Sequence, residues 1–282
     1  MITSALISQC RREYGDIPKS TQVSRAADGN ATLFNLGRYP VVEGSYTIRF
    51  GTSAKTEGTH FTLDKDNGDL LTISTQSNGV IVQSNHKFAN FRDANWNEAI
   101  NHGIEALNAR GFFKQVVRNT DVFRISANVR VYSAPSACVD AYELIKFSDR
   151  TISGSYIPMG INWQYDQDAN KIVLKSKPSV AERAAMSYLR NLQTYSATSA
   201  TLDVLTDWVE LVKLKAGAYY FRHMAAKIAQ QGNATIDEGH FSFTNARTMA
   251  NDLEADFERL AARKKPTRPA MEIQYHIPGG GR

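Results

Sequence analysis

The chain has 282 residues, 42% hydrophobic and 22% charged, which is enough to bury a sizeable core in one large domain or two smaller ones. Cys10 and Cys138 are its two cysteines; they lie far apart and outside any Cys-x-x-Cys pair, which excludes a local zinc or redox motif and suits a reducing compartment. From Arg259 onward the basic residues Arg259, Arg263, Lys264, Lys265, Arg268 and Arg282 face the single acid Glu272, so this stretch alone accounts for the formal charge of +5 and the rest is close to neutral.

The opening segment Thr3 to Tyr14 spaces Leu6, Ile7 and Cys10 as a short helix, ending at Gly15-Asp16-Ile17-Pro18. Its apolar run is broken by Ser and Gln before Arg11 and Arg12, too polar for a signal-peptide core, and no stretch reaches about 18 consecutive apolar residues. The expectation is a protein made and kept on the cytoplasmic side, where the sequons at Asn30 and Asn233 carry no meaning. From Val23 to Phe88 the texture is β: Thr32 to Leu36, Ser45 to Phe50, Phe61 to Leu63, Leu70 to Ile73 and Val80 to Val82, separated by glycine-bearing turns.

Asp93 is a good N-cap for a helix in which Trp96, Ile100, Ile104 and Leu107 repeat at four and three residues until Gly111. A second β block follows, with runs at Val116, Val122 to Ile125, Val129 to Tyr132, Glu143 to Phe147, Ile161 to Tyr165 and Ile172 to Leu174. Val180 to Leu192 reads as helix-compatible. A long helix is expected from about Asp203 to Gln231, with Leu205, Trp208, Val209, Val212, Ala216, Tyr219 and Tyr220 on one side. Another runs from about Phe241 to Lys264 along Ala246, Ala250, Leu253, Phe257, Leu260 and Ala261, and the two should pack antiparallel. Pro266 and Pro269 end the helical part. The expected fold is therefore α+β: an antiparallel helical bundle (residues 1–20, 89–111 and 179–265) carrying antiparallel β modules at 21–88 and 112–178, with an extended C-terminal arm at 266–282.

Local catalytic signatures are absent: the chain has no P-loop, no strand-linked Gly-x-Gly-x-x-Gly, no His-Glu-x-x-His and no Gly-x-Ser-x-Gly. Asp64 to Asp69 and Asp166 to Asn170 resemble calcium loops, but Thr75 and Lys177 stand where the closing glutamate belongs, and both stretches read as turns. His60, His86, His102, His223, His240 and His276 are scattered, none three or four residues from another. The Asp93/Glu98 and Asp252/Glu254/Asp256/Glu258 clusters are explained by helix-end electrostatics and solvated faces. No enzyme, cofactor or metal is expected.

The tail carries the clearest unexplained pattern. Met271, Ile273, Tyr275 and Ile277 alternate with Glu272, Gln274 and His276, a strand with one apolar edge that can join its own sheet or the sheet edge of another protein. The basic stretch Arg259, Arg263, Lys264, Lys265, Arg268 and Arg282 is either a helix end with a solvated tail or a segment that meets nucleic acid or an acidic partner.

The element order, with Leu33-Phe34-Asn35-Leu36, Pro40 to Ser45, His60 to Leu70, Phe91 to Asn101 and Leu202 to Val212 leading into Lys215-Ala216-Gly217-Ala218, resembles the head-to-tail adaptor (connector) proteins of tailed bacteriophages over most of the chain. The resemblance implies a structural virion protein, made in the host cytoplasm and placed in the neck between capsid and tail. It implies a homo-oligomeric ring, typically dodecameric, docked under the portal protein, bearing the next neck or tail-completion component and letting genomic DNA pass without sequence-specific binding. It gives Met271, Ile273, Tyr275 and Ile277 a portal-docking role, and implies no membrane contact. The residues leave three rivals open: a tail-completion or stopper protein of the neck, a DNA-binding protein using the basic C-terminal segment, and, furthest from the pattern, an enzyme whose site is assembled from distant residues.

Overall fold

Helix α1 (Thr3–Glu13) forms where Leu6, Ile7 and Cys10 recur at helical spacing, and it buries all three. It gives way at Gly15, whose φ of +77° is a left-handed conformation that costs glycine nothing. A computed structural model describes residues 3–119, 124–147, 156–158, 162–196, 200–231, 235–236 and 241–264. After α1 come β1 (Lys19–Ala26), β2 (Leu33–Asn35), β3 (Thr47–Phe50), β4 (Ser53–Lys55), β5 (Phe61–Asp64), β6 (Asp69–Thr72), β7 (Ile81–Phe88) and α2 (Asp93–Ala109). Then follow β8 (Lys114–Asn119), β9 (Arg124–Ile125), β10 (Val131–Ser133), β11 (Cys138–Phe147), β12 (Tyr156–Pro158), β13 (Trp163–Asp166), β14 (Lys171–Leu174) and β15 (Glu182–Arg190). The 3-10 turn Thr206–Trp208 leads into α3 (Val209–Gln231), the short pair β16 (Thr235–Ile236) and β17 (Phe241–Ser242), and α4 (Phe243–Lys264). The chain divides into two units, one of Met1–Ala106 with Thr194–Arg263, the other holding Leu107–Gln193.

In the first unit β1 pairs antiparallel with β7 along its whole length, from Lys19 opposite Phe88 to Ala26 opposite Ile81. The sheet order is β1-β7-β3-β4, and a second sheet runs β2-β6-β5. Their inward residues, among them Phe34, Leu36, Val41, Ile48, Phe61, Leu70 and Val82, form one core. His86 is buried in β7; its Nε2 lies 2.9 Å from the Arg38 carbonyl and its Nδ1 2.9 Å from the Ser84 hydroxyl. A carbonyl can only accept, so Nε2 carries the proton and Nδ1 accepts from Ser84, which is the neutral imidazole. Burial lowers the His86 pKa, opposed by the Arg38 bond. The unfolded chain therefore binds a proton that the folded state refuses as pH falls below the ordinary value of 6.5. The stability that wild type holds over His86→Gln should be full above that pH, shrink as pH drops through it, and level off at the folded pKa. Denaturant midpoints of the two proteins across that range check this; parallel curves would refute it.

The helical part of the first unit is built on a buried ion pair. Arg11 and Asp16, both nearly inaccessible, pair at 2.7 Å, and the other arm of the guanidinium donates to the Phe91 carbonyl (2.8 Å) and Asp93 Oδ1 (2.9 Å). Asp16 also accepts from the Trp96 indole (2.7 Å) and the Asn90 amide (2.7 Å). Asp93, expected as a simple cap, thus spends a carboxylate oxygen on α1. Beside the pair, Tyr14, Phe91, Trp96, Tyr220 and Phe221 meet in stacked and edge-on contacts. Gly103 of α2 lets the helix touch α3: a Cβ there would lie 2.9 Å from the Val212 carbonyl oxygen. From α3, Lys215 pairs with Glu254 and covers the Phe257 ring at 4.6 Å, while Arg222 reaches Glu254 at 3.2 Å, so α3 meets α4 around Glu254 and Phe257; the buried stripe of α4 is Ala246, Ala250, Phe257 and Ala261.

Past the end of α2, the regular elements of the second unit among the described residues of Leu107–Gln193 are strands. Its larger sheet has the order β12-β11-β15-β8 with β9 also on β15, and a smaller one runs β10-β14-β13. Ile125, Ala141, Leu144, Ile172, Leu174, Ala184, Met186 and Tyr188 make its core.

The expected helical bundle with two β insertions is overturned. Antiparallel sheets dominate the described residues, which contain only four α-helices. The segment 179–193, assigned above to the bundle, supplies β15, paired on both sides and buried without interruption from Ala184 to Leu189. A strand covered on both faces has no polar alternation, and Ala, Met and Leu then mimic a helix. Leu205, read as part of the α3 stripe, precedes that helix and is exposed.

Candidate functional site

Of the basic segment, Arg259 and Arg263 stand exposed on the last turns of α4, with Arg259 bonded to Asp256 at 2.8 Å, and Lys264 is half-buried at the helix end. These cations sit where the helix dipole favours them. Lys265, Arg268 and Arg282, and the alternating Met271, Ile273, Tyr275 and Ile277, lie outside the described residues.

The two calcium-like stretches are turns. Asp64 turns inward: Oδ1 accepts from the amides of Asp66 (2.9 Å) and Asn67 (3.2 Å), and Oδ2 from the Asn67 side chain (2.8 Å). Those donors hold its carboxyl below the ordinary range. In the second stretch Asp166 accepts from the Ala169 amide at 3.1 Å, and Asn170, at φ +51°, receives the Tyr165 hydroxyl. Cys10 is fully buried, which pushes its thiol up to about 12. Among the described residues no three of His, Cys, Asp and Glu converge on a point a metal ion could occupy. No described helix is long and apolar enough to cross a membrane.

Two surfaces stand out that the sequence did not mark. The first is apolar: Leu33 of β2 lies directly opposite Leu71 of β6, and Ile73 follows two residues on. All three are large aliphatic side chains left open, at 58, 48 and 60% exposure. Strand β2 is also the edge of its sheet. The pattern Leu70-Leu71-Thr72-Ile73 supplies an apolar residue to both faces of the strand, which was the available signal.

The second surface is a polar groove of about 440 Å³ along α2 and α3, lined by Asn97, Glu98, Asn101, His102, Glu105 and Tyr219. The Tyr219 hydroxyl donates to Glu98 Oε1 at 2.9 Å, and its ring tilts against His102 with centroids 5.5 Å apart. Asn101 holds the Tyr195 backbone from both sides, donating to its carbonyl at 2.6 Å and accepting from its amide at 2.8 Å. Asn97 donates to the same carbonyl at 3.2 Å. Tyr195 O can only accept, so Nδ2 must face it and Oδ1 is left over; that buried oxygen has no partner among the described residues. Glu98, His102 and Glu105 are spaced for one outward face of α2, which in sequence is indistinguishable from ordinary solvated polarity.

No protein-family model matches this chain, and no curated protein matches it.

Proposed function

We propose that this chain is a structural virion protein, a head-to-tail adaptor that assembles as a homo-oligomeric ring between the portal and the neck of a tailed phage, around the path of the DNA. The fold implied by the resemblance is not the one observed, so the proposal rests on the order of sequence segments and on surface chemistry. The observation that carries it is the open apolar face of Leu33, Leu71 and Ile73 at a sheet edge, in a unit whose other large apolar side chains are mostly packed. Large aliphatic side chains clustered at an unpaired edge favour contact with another protein. The alternating Met271, Ile273, Tyr275 and Ile277 supply a second element of the same kind, suited to adding a strand to the portal.

The test is binding of the full-length chain, and of a chain ending at Pro269, to the portal ring from the same source. The full chain should bind and the shortened one should lose at least about tenfold in affinity, since every 1.4 kcal/mol is a factor of ten. If neither form binds the portal or a neck component, the adaptor reading fails.

A further inference from the structure

We infer that the outward face of the sheet β1-β7-β3-β4 is a docking surface for duplex DNA, held through its phosphates without sequence preference. The four strands contain Lys19, Arg25, Arg49, Lys55 and Lys87 and no Asp or Glu. The neighbouring sheet β2-β6-β5 is the reverse, with Asp64 and Asp69 and no cation, so charge is segregated between the two sheets of one unit. Register places the outward side chains in rows: Gln22, Asn85 and Thr47 across one, Ser24, Gln83 and Arg49 across the next, with Ser20 beside Lys87 on the other side. The alternate residues Ile48, Phe50, Val82, Ser84 and His86 are buried, so these rows point away from the core. A groove of about 490 Å³ runs over Ser20, Gln22, Thr47, Asn85 and Lys87.

Among the described residues, none of the side chains in these rows is spent on a hydrogen bond, and Arg49 and Lys87 have no acidic partner, whereas Lys65, Arg92 and Lys213 are all paired with carboxylates. Ser, Thr, Asn, Gln, Arg and Lys are the side chains that contact phosphate in protein–DNA complexes. Arg49 lies opposite Gln83, and Lys87 is four residues further along β7, about 13 Å at the rise of a strand, which is too far for one phosphate group and suits an extended polyanion. The rows hold no aromatic ring, and single strands are bound by stacking their bases on aromatic side chains, so a duplex fits better. The inference rests on this sheet and stands whether or not the portal is the partner.

The test is the salt dependence with which the full-length chain binds a fluorescein-labelled duplex of mixed sequence, followed by anisotropy. Each cation that meets a phosphate steepens the fall of log K with log salt by about 0.9. Arg49→Gln with Lys87→Gln should therefore flatten the slope by about 1.8 and weaken binding about tenfold or more at low salt, equally for unrelated sequences. Gln22→Lys, on the same face, should steepen the slope by about 0.9, a gain that a misfolded variant cannot produce. The inference is overturned if wild type does not bind the duplex, or if the double variant keeps the wild-type slope, which would put the binding on the basic C-terminal segment. Preference for a single strand of the same length, or for dextran sulfate, over the duplex overturns it too. A chain that shows these slopes and does not bind the portal removes the adaptor reading and leaves this surface in place.

Discussion

Replacing Asp16 with alanine should destabilise the first unit by about 3–5 kcal/mol, the cost of leaving one partner of a buried ion pair behind. Arg11 stays buried in that variant, keeping Asp93 at 2.9 Å and the Phe91 carbonyl while losing the carboxylate at 2.7 Å. The Trp96 indole and the Asn90 amide lose their acceptor at the same time. Denaturant unfolding followed by tryptophan fluorescence reads the change as a lower midpoint at unchanged slope. The double replacement Arg11→Met with Asp16→Leu should recover much of the loss, because removing both charges also removes their desolvation cost. Acid sharpens the result. Burial pushes the Asp16 carboxyl up to about 6 from 3.8, against the pull of Arg11, Trp96 and the Asn90 and Phe91 amides. Between those values the folded state binds more protons than the unfolded one, so wild type gains stability as pH falls from about 6 toward 3.8. The gap to Asp16→Ala therefore widens in acid; a gap that closes there would show that ionisation of Asp16 is favoured by the fold.

That network also marks where sequence reasoning stops. The apolar period of α2 was legible, and Trp96, Ile100, Ile104 and Leu107 are all fully buried. Asp16, by contrast, sits in a Gly-Asp-Ile-Pro stretch that turn chemistry alone explains, and its partners Asn90, Phe91 and Trp96 come from far along the chain. Periodicity says which face of an element is buried and is silent on which polar groups will be buried with it. The strand β1 drew no named run for the opposite reason, although the β texture was placed from Val23: Lys19 to Ala26 has no fully buried residue and so no strong apolar face, and its strand character comes from pairing with β7.

The error in fold class has one physical root. The four α-helices were recognised close to where they lie, but a run of helical period does not specify what covers it, and a bundle was inferred where sheets supply much of the packing. β15 compounded this: at Ala184-Ala185-Met186-Ser187-Tyr188-Leu189 both faces are covered, and the polar alternation of a half-exposed strand is missing. The candidate surfaces were no more legible. Leu33 and Leu71 become a patch only through their cross-strand register, and the groove needs Tyr219 of α3 beside Glu98 of α2.

Gly217 is the position where the smallest change should have the largest packing effect. It lies in α3 against the ring of Tyr14, and a Cβ on it would stand 2.4 Å from Tyr14 Cζ and 2.8 Å from Cε1 and Cε2. The ring has little room to yield: it stacks along Trp96 at 6.2 Å, meets Phe221 edge-on at 6.0 Å, and its hydroxyl donates to the Lys213 carbonyl at 2.8 Å. Gly217→Ala improves helix propensity by about 1 kcal/mol, yet overpacking a closed site costs about 1–3 kcal/mol or more, so clash should win. Removing the ring reverses the sign. In a Tyr14→Ala background, itself destabilised by the lost ring, Gly217→Ala has open space in front of it and only the propensity gain remains. A double-mutant cycle of unfolding free energies should therefore give a coupling above about 1 kcal/mol with opposite signs for the two Gly217→Ala steps. Equal effects in both backgrounds would mean that glycine is tolerated at 217 without being required by the Tyr14 contact.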